Sequence, residues 1–357
     1  MADSWDGAPI RSTGIGSWPG TDLVEALKIT FDEARELPFL PELPARGVGS
    51  QLIGRGVAVL SGLGADLQPA GWRLTDAPGR DQLRARATLR DDLDQLEEVA
   101  QDYRGPFKIA FVGPWTLAAS VERPRGDRLL ADFGARRDLG QSLAEGIGNL
   151  VADLGRRLPG LELILQIDEP GLQAVLGGSI PTASGFSRHR KIDAPEVSDA
   201  LELLARTVRT IETPADASVQ DTALTGAGLP RLWLHSCARD VPVQLIRKAG
   251  FGGAALDLDQ LTAADWDVIG QEMTDGLWLG AGALQTGSPA TGSALSPDAI
   301  AQRVLRAMRT LGLEPEVASR MIITPACGLA GFDQASAVRA LRVVRKAADI
   351  VTDQLAD

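Results

Sequence analysis

Cysteine and histidine are scarce: the 357 residues contain two of each. One cysteine pair cannot make a disulfide framework, and a chain this long, 44% hydrophobic and 23% charged, buries enough core to need no covalent staple. Positive charge is short as well. Lys and Arg number 36 against 47 Asp and Glu, a formal net charge of -11. Holding a phosphate backbone or an anionic bilayer calls for a basic stripe, so nucleic acid and membrane surfaces are excluded as partners. Long apolar runs are missing too. None reaches the roughly 18 to 20 residues that span a bilayer, and the opening MADSWDGAPIRST has neither the basic nor the apolar segment of an export signal. The expectation is a soluble, cytoplasmic protein.

What is present is a rhythm. Short apolar runs alternate with longer amphipathic stretches at 13–17, 70–75, 107–113, 161–168, 231–237, 252–258, 277–284 and 320–326, the pattern of repeated strand–helix units around a parallel sheet. Between them, segments such as 81–103 and 333–355 repeat apolar residues every three or four positions and fill the opposite face with charge, which predicts helices. Eight such units predict a single (β/α)8 TIM barrel with enlarged loops at its C-terminal face. The length matches two average domains, but barrels run this long as one unit, and no linker divides the chain. One catalytic domain over 1–357 is expected. Residues 36–49, with three prolines, and 171–193 read as long loops over one face. The stretch 212–229, rich in Thr, Ala, Asp and Gly, reads as a flexible surface insertion.

The few cysteines and histidines are not scattered. His235 and Cys237 stand one residue apart at the end of an apolar strand, where alternation turns both side chains to one face. Cys327 follows the eighth run, and barrel enzymes keep their sites at strand C-termini. Asp257 and Asp259 share a face at the end of the sixth. Two thiolates, an imidazole and one of these carboxylates make a tetrahedral donor set suited to zinc, whereas magnesium and calcium prefer oxygen alone. Trp115, at a strand end, is a candidate for stacking on a flat donor.

Five motifs in order, IGSWPGT (15–21), VGPWT (112–116), QIDEP (166–170), HSC (235–237) and TPACGL (324–329), resemble the C-terminal catalytic barrel of the cobalamin-independent methionine synthase family, in the superfamily shared with uroporphyrinogen decarboxylase. The resemblance covers most of the chain. It implies a zinc-dependent methyltransferase acting on homocysteine or a similar amino-acid thiol, with His235, Cys237, Asp257 and Cys327 as metal ligands. Asp257 stands where the family has a glutamate. The resemblance further implies that Ile15, Gly16 and Ser17 hold the substrate carboxylate and that Asp168 meets its ammonium group, with Glu42 a candidate for the family's second acidic contact.

Two departures bear on the methyl donor. Family members add an amino-terminal barrel that helps to hold polyglutamyl folate, and the family's strand-seven aspartate and histidine, associated with proton delivery, are Gln285 and Gly287 here. Methyl transfer from a tertiary amine needs a general acid, so a donor that needs no proton is expected: a methylcorrinoid, free or on a corrinoid protein, ahead of a sulfonium. His189, beside Arg188, Arg190 and Lys191, is the one remaining candidate for a substitute acid. The alternatives are a related zinc-dependent alkyltransferase acting on another thiol and a barrel that binds zinc or a corrinoid protein without turnover.

Overall fold

The apolar runs fold as parallel strands because each is covered on both faces, by helices outside and by the opposite wall inside. The computed structural model describes residues 9–211, 228–229, 231–287 and 296–356. In chain order the elements are β1 (Arg11–Ser12), α1 (Leu23–Glu33), α2 (Leu52–Val59), β2 (Gly64–Gln68), β3 (Gly71–Thr75), α3 (Arg80–Ala100), β4 (Gly105–Val112), α4 (Pro114–Ser120) and α5 (Phe133–Arg157). There follow β5 (Leu161–Asp168), α6 (Leu172–Leu176), α7 (Ala194–Arg209), β6 (Leu232–Ser236), α8 (Val243–Lys248), β7 (Gly253–Asp257), α9 (Ala263–Thr274) and β8 (Trp278–Leu284). The last are α10 (Pro297–Leu311), α11 (Pro315–Ala318), β9 (Met321–Pro325) and α12 (Gln334–Ala356). Caps fix several helix starts: Asp22 accepts from the Glu25 N–H on α1, and Thr262 with Asp265 forms a capping box on α9.

One seven-stranded parallel sheet runs in the order β1-β9-β8-β7-β6-β5-β4. It is curled and surrounded by helices, consistent with a TIM-like barrel, but it holds seven regular strands where eight were expected. The run at 70–75 is not among them. As β3 it pairs antiparallel with β2 in a separate hairpin. Instead, residues 38–42 lie between the sheet's two edges. Leu40 N–H donates to the Lys108 carbonyl and Lys108 N–H to that of Pro38 on the β4 side; on the other, Glu42 N–H donates to the Gly16 carbonyl and Trp18 N–H to that of Glu42. Pro38 and Pro41 have no N–H to extend either ladder, which explains both the short pairing and the loop-like sequence. Residues 36–49 are thus no simple loop. Of the insertion predicted at 212–229, residues 212–227 lie outside the described residues.

The sheet encloses a small apolar cluster of Ile15, Leu37, Ile164, Leu229, Trp233, Ala255 and Ile322, apart from the larger core between strands and helices. Trp233 dominates it, and two glycines make its room. A Cβ on Gly253 would collide with the indole, and one on Gly280 would sit 3.3 Å from it and 2.7 Å from Ala255 Cβ. At the ends of the chain α1 and α12 are joined by Glu33, whose carboxylate pairs with Arg342 and, at 3.0 Å, with Arg345.

Candidate functional site

Strand register assembles the site. On β6, Trp233 points inward, so His235, two residues on, does too; its partner across the ladder is Asp168, the last residue of β5. Cys237 lies just past the end of β6 and Cys327 just past β9. The ligand atoms of His235, Cys237 and Cys327 all lie within 4.8 Å of one another. Ligands of a tetrahedral zinc ion, at about 2.0 to 2.3 Å from the metal, stand roughly 3.5 Å apart, so this group needs only small rotamer adjustments to fit the ion. The donor set, two sulfurs and a nitrogen, suits zinc better than a hard cation.

The same atoms carry perturbed protons. Burial pulls the His235 imidazolium down, but the hydrogen bond and charge of Asp168, whose Oδ1 is 3.0 Å from Nδ1, outweigh it and the net direction is upward. Nε2 faces the Ala326 carbonyl at 3.4 Å; a metal here would replace the Nε2 proton. The Cys327 thiol donates to Cys237, which brings Cys237 down to about 6 against the opposing effect of burial, with His235 assisting. Cys327 is correspondingly raised. Proton and thiolate are shared within one pair, an arrangement suited to losing its proton to a cation.

A cleft of about 250 Å³ opens on this group and is also lined by Ile15, Ser17, Glu42, Asp168 and Gly328. Glu42 is fully enclosed; burial pushes its carboxyl up to about 7, with Arg55 pulling down and Asp168 pushing up. Arg55 Nε stands 3.7 Å from Glu42 Oε2, and Oε1 has no hydrogen-bond partner among the described residues. A buried carboxylate oxygen without a donor is costly, and a ligand cation in the cleft would satisfy it. Glycine is required at 328, because a Cβ there would collide with Ser17 Oγ. The Gly328→Ala variant is therefore expected to push Ser17 out of the cleft wall without unfolding the chain, which a crystal structure of the variant and its thermal unfolding check.

Other sequence-predicted residues fall elsewhere. Asp257 lies outside the three-residue group, although its charge reaches Cys237. Its Oδ1 accepts from the Asp259 N–H and, at 2.7 Å, from Gln285 Nε2, while Oδ2 has a longer contact, 3.4 Å, from Gln260. Asp259 is tied to Arg303 at the surface. Trp115 is buried away from the cleft, its indole N–H donating to the Val197 carbonyl. Glu169 is fully buried and accepts from Trp115 N–H, Thr116 N–H and Thr116 Oγ at the start of α4, with burial raising its carboxyl to about 7. His189, the candidate substitute acid, does not line the cleft. It is buried with Nε2 3.0 Å from Asp127 Oδ1, which also accepts from the Ala183 N–H. Arg188 donates to the Ser179 carbonyl, and Lys191 stands 3.8 Å from Asp193. Gly287 is exposed. Two interior residues escaped the sequence reading, Lys108 and Gln166. The signal for Lys108 was a lone charge within the apolar run FKIAFV.

No protein-family profile and no curated protein matches the chain. Among solved structures it is similar to a B12-independent methionine synthase from Shewanella sp. W3-18-1, determined in complex with selenomethionine. The TM-score is 0.57 at 12% identity, over 98% of this chain and 99% of that one. At that identity the likeness speaks for the fold. It runs along nearly the whole of both chains.

Proposed function

We propose that the protein transfers a methyl group to the thiol of homocysteine, giving methionine, at a zinc centre held by His235, Cys237, Cys327 and Asp257 in the mouth of a (β/α)8 barrel whose second strand position is taken by residues 38–42. The observation that carries this reading is the meeting of both cysteines and a strand-end histidine in one cleft with a buried, unsatisfied carboxylate. Zinc, when bound, supplies a substrate sulfur that is deprotonated and nucleophilic at neutral pH. The chain's own residues do the rest. Asp168 orients the His235 ring and fixes which nitrogen faces the metal. Asp257 offers Oδ2, the oxygen that carries only the longer contact. Glu42 Oε1 receives the substrate ammonium, and the backbone at Ile15, Gly16 and Ser17 receives the carboxylate. A cleft of about 250 Å³ accommodates an amino acid and fixes its thiol for in-line attack.

The donor follows from the groups around Asp257. Gln285 is an amide donating to that carboxylate and cannot act as a general acid, and His189, bonded to Asp127, does not line the cleft. A leaving group that needs no proton is therefore favoured, and a methylcorrinoid provides one. Zinc-loaded protein incubated with homocysteine and either methylcobalamin or methyltetrahydrofolate tests both parts. Methionine formed from methylcobalamin alone is the expected result; equal rates from folate would overturn the donor assignment, and no methionine from either would overturn methyl transfer.

Glu42 also sets a pH dependence. Its carboxyl, raised to about 7, is neutral below that pH, whereas an ammonium partner requires the anion. Binding near pH 6 should thus release about one proton from Glu42 besides the one that the substrate thiol gives up at the metal, and Glu42 should make affinity rise as pH increases through about 7. Calorimetry in buffers of different ionisation enthalpy measures the release. Glu42→Gln should lower the total release by about one proton and leave that of the thiol.

A further inference from the structure

Inside the sheet, below the cleft, β4 and β5 contribute one connected set of polar groups. Lys108 Nζ donates to the Ile15 carbonyl at 2.7 Å and to Gln166 Oε1 at 2.6 Å. Gln166 Nε2 donates to the same carbonyl at 3.0 Å and to Asp168 Oδ1 at 2.8 Å. Lys108 is fully enclosed, and burial lowers its ammonium to about 7 against the upward pull of Asp168 and Glu42. Among the described residues no carboxylate lies within ion-pair distance of it. An enclosed ammonium without a direct counter-ion is expensive, and an aliphatic side chain of similar length would fill the interior at lower cost.

What the lysine secures is the orientation of one peptide. The described peptide bonds are all trans, so a carbonyl directed at Lys108 and Gln166 sends the N–H of the same peptide, that of Gly16, the opposite way. Ile15 and Ser17 on either side line the cleft. The Gly16 and Ser17 N–H groups have no acceptor among the described residues, and the Cβ position of Gly16 faces Glu42 Oε1 at 3.0 Å. Unpartnered backbone N–H groups at the cleft wall are donors that an anionic group can take.

We infer that Lys108 is a positioning residue for the substrate carboxylate: with Gln166 it grips the Ile15 carbonyl from below and so holds the Gly16 N–H turned into the cleft. This rests on the amino-acid reading of the cleft. It extends that reading to a residue that touches neither metal nor substrate. It also makes carboxylate recognition dependent on groups at mid-strand, because the two gripping side chains stand on neighbouring strands at fixed register.

The test compares two thiols on the zinc-loaded full chain, homocysteine and 3-aminopropane-1-thiol, which lacks only the carboxylate. Wild type is expected to favour homocysteine, and Lys108→Met to reduce that preference by about tenfold or more while binding the aminothiol as wild type does. A preference retained by Lys108→Met, or an equal loss for both ligands, would overturn the inference, the second because it marks a merely structural effect. Should that variant fail to fold, Gln166→Glu replaces the second donor to the carbonyl by an acceptor at constant size. It must also erode the preference, and an undiminished preference overturns the inference. Wild type that binds both thiols alike, or neither, removes the amino-acid reading itself, an outcome visible before any variant is made.

Discussion

Serine in place of Cys327 is expected to lower zinc affinity by about a hundredfold or more and to abolish methyl transfer at ordinary metal concentrations. Structural zinc sites with four protein ligands bind with about 10 to 16 kcal/mol, so one thiolate accounts for roughly 3 kcal/mol, and each 1.4 kcal/mol is tenfold. A serine hydroxyl does not ionise near neutral pH and is a harder donor than sulfur. The backbone has little reason to respond, because Cys327 is only partly buried at a turn beyond β9 and serine differs by one atom. Chelator competition measures the affinity and thermal unfolding of the metal-free forms supplies the control. Wild-type zinc affinity in the serine variant would remove Cys327 from the metal site and, with it, the basis for the proposed reaction.

The Asp168→Asn variant is expected to lose 10- to 100-fold in zinc affinity, about the range measured when the carboxylate behind a metal-binding histidine is removed. One oxygen of Asp168 serves both His235 Nδ1 and Gln166 Nε2. An amide can accept from both only through its single carbonyl oxygen, and it carries no charge to hold the imidazole against burial. If instead it turns its NH₂ toward the ring, the proton must move to Nε2 and the metal-facing lone pair is lost. The fold survives either change, since Asp168 is the last residue of its strand. Zinc titration of the asparagine variant reads the first effect. Activity at saturating zinc reads a second effect, expected because the proposed substrate would lose a negative charge beside its ammonium group. Unaltered zinc binding would show that Asp168 does not orient the ligand.

How far these features could be read from residues depended on what surrounds them. The strands β4 to β9 are mostly apolar, with only a few polar side chains such as Lys108, Gln166 and His235 turned inward, and are bounded by Gly, Asp or Pro, so their runs stand out to within a few positions. The second unit misled because GWRLT has the composition of a strand but makes its bonds in a hairpin with β2, a distinction of partner that composition does not carry. Residues 38–42 were hidden for the opposite reason: their prolines suppress the strand signal while the intervening N–H groups of Leu40 and Glu42 still bond to both edges. In the site, scarcity made His235, Cys237 and Cys327 conspicuous. Asp257 was placed by resemblance to a glutamate, and its shorter side chain lies outside the three-residue group, held by Gln285. Trp115 and His189 look like strand-end and loop residues in sequence, yet tertiary contacts with Val197 and Asp127 enclose them.

The indole at the centre of the sheet has a consequence for how such a chain can change over generations. Trp233 occupies space left by the missing side chains of Gly253 and Gly280 on the two strands beyond it, so the three positions are not free to vary independently. A methyl group gained at Gly253 meets the ring at once, whereas shortening the ring first leaves a hole that a later methyl can fill. Neutral paths through this part of the interior therefore run in one order, from the large residue to the small ones, and a descendant bearing alanine at 253 beside an intact tryptophan should be rare.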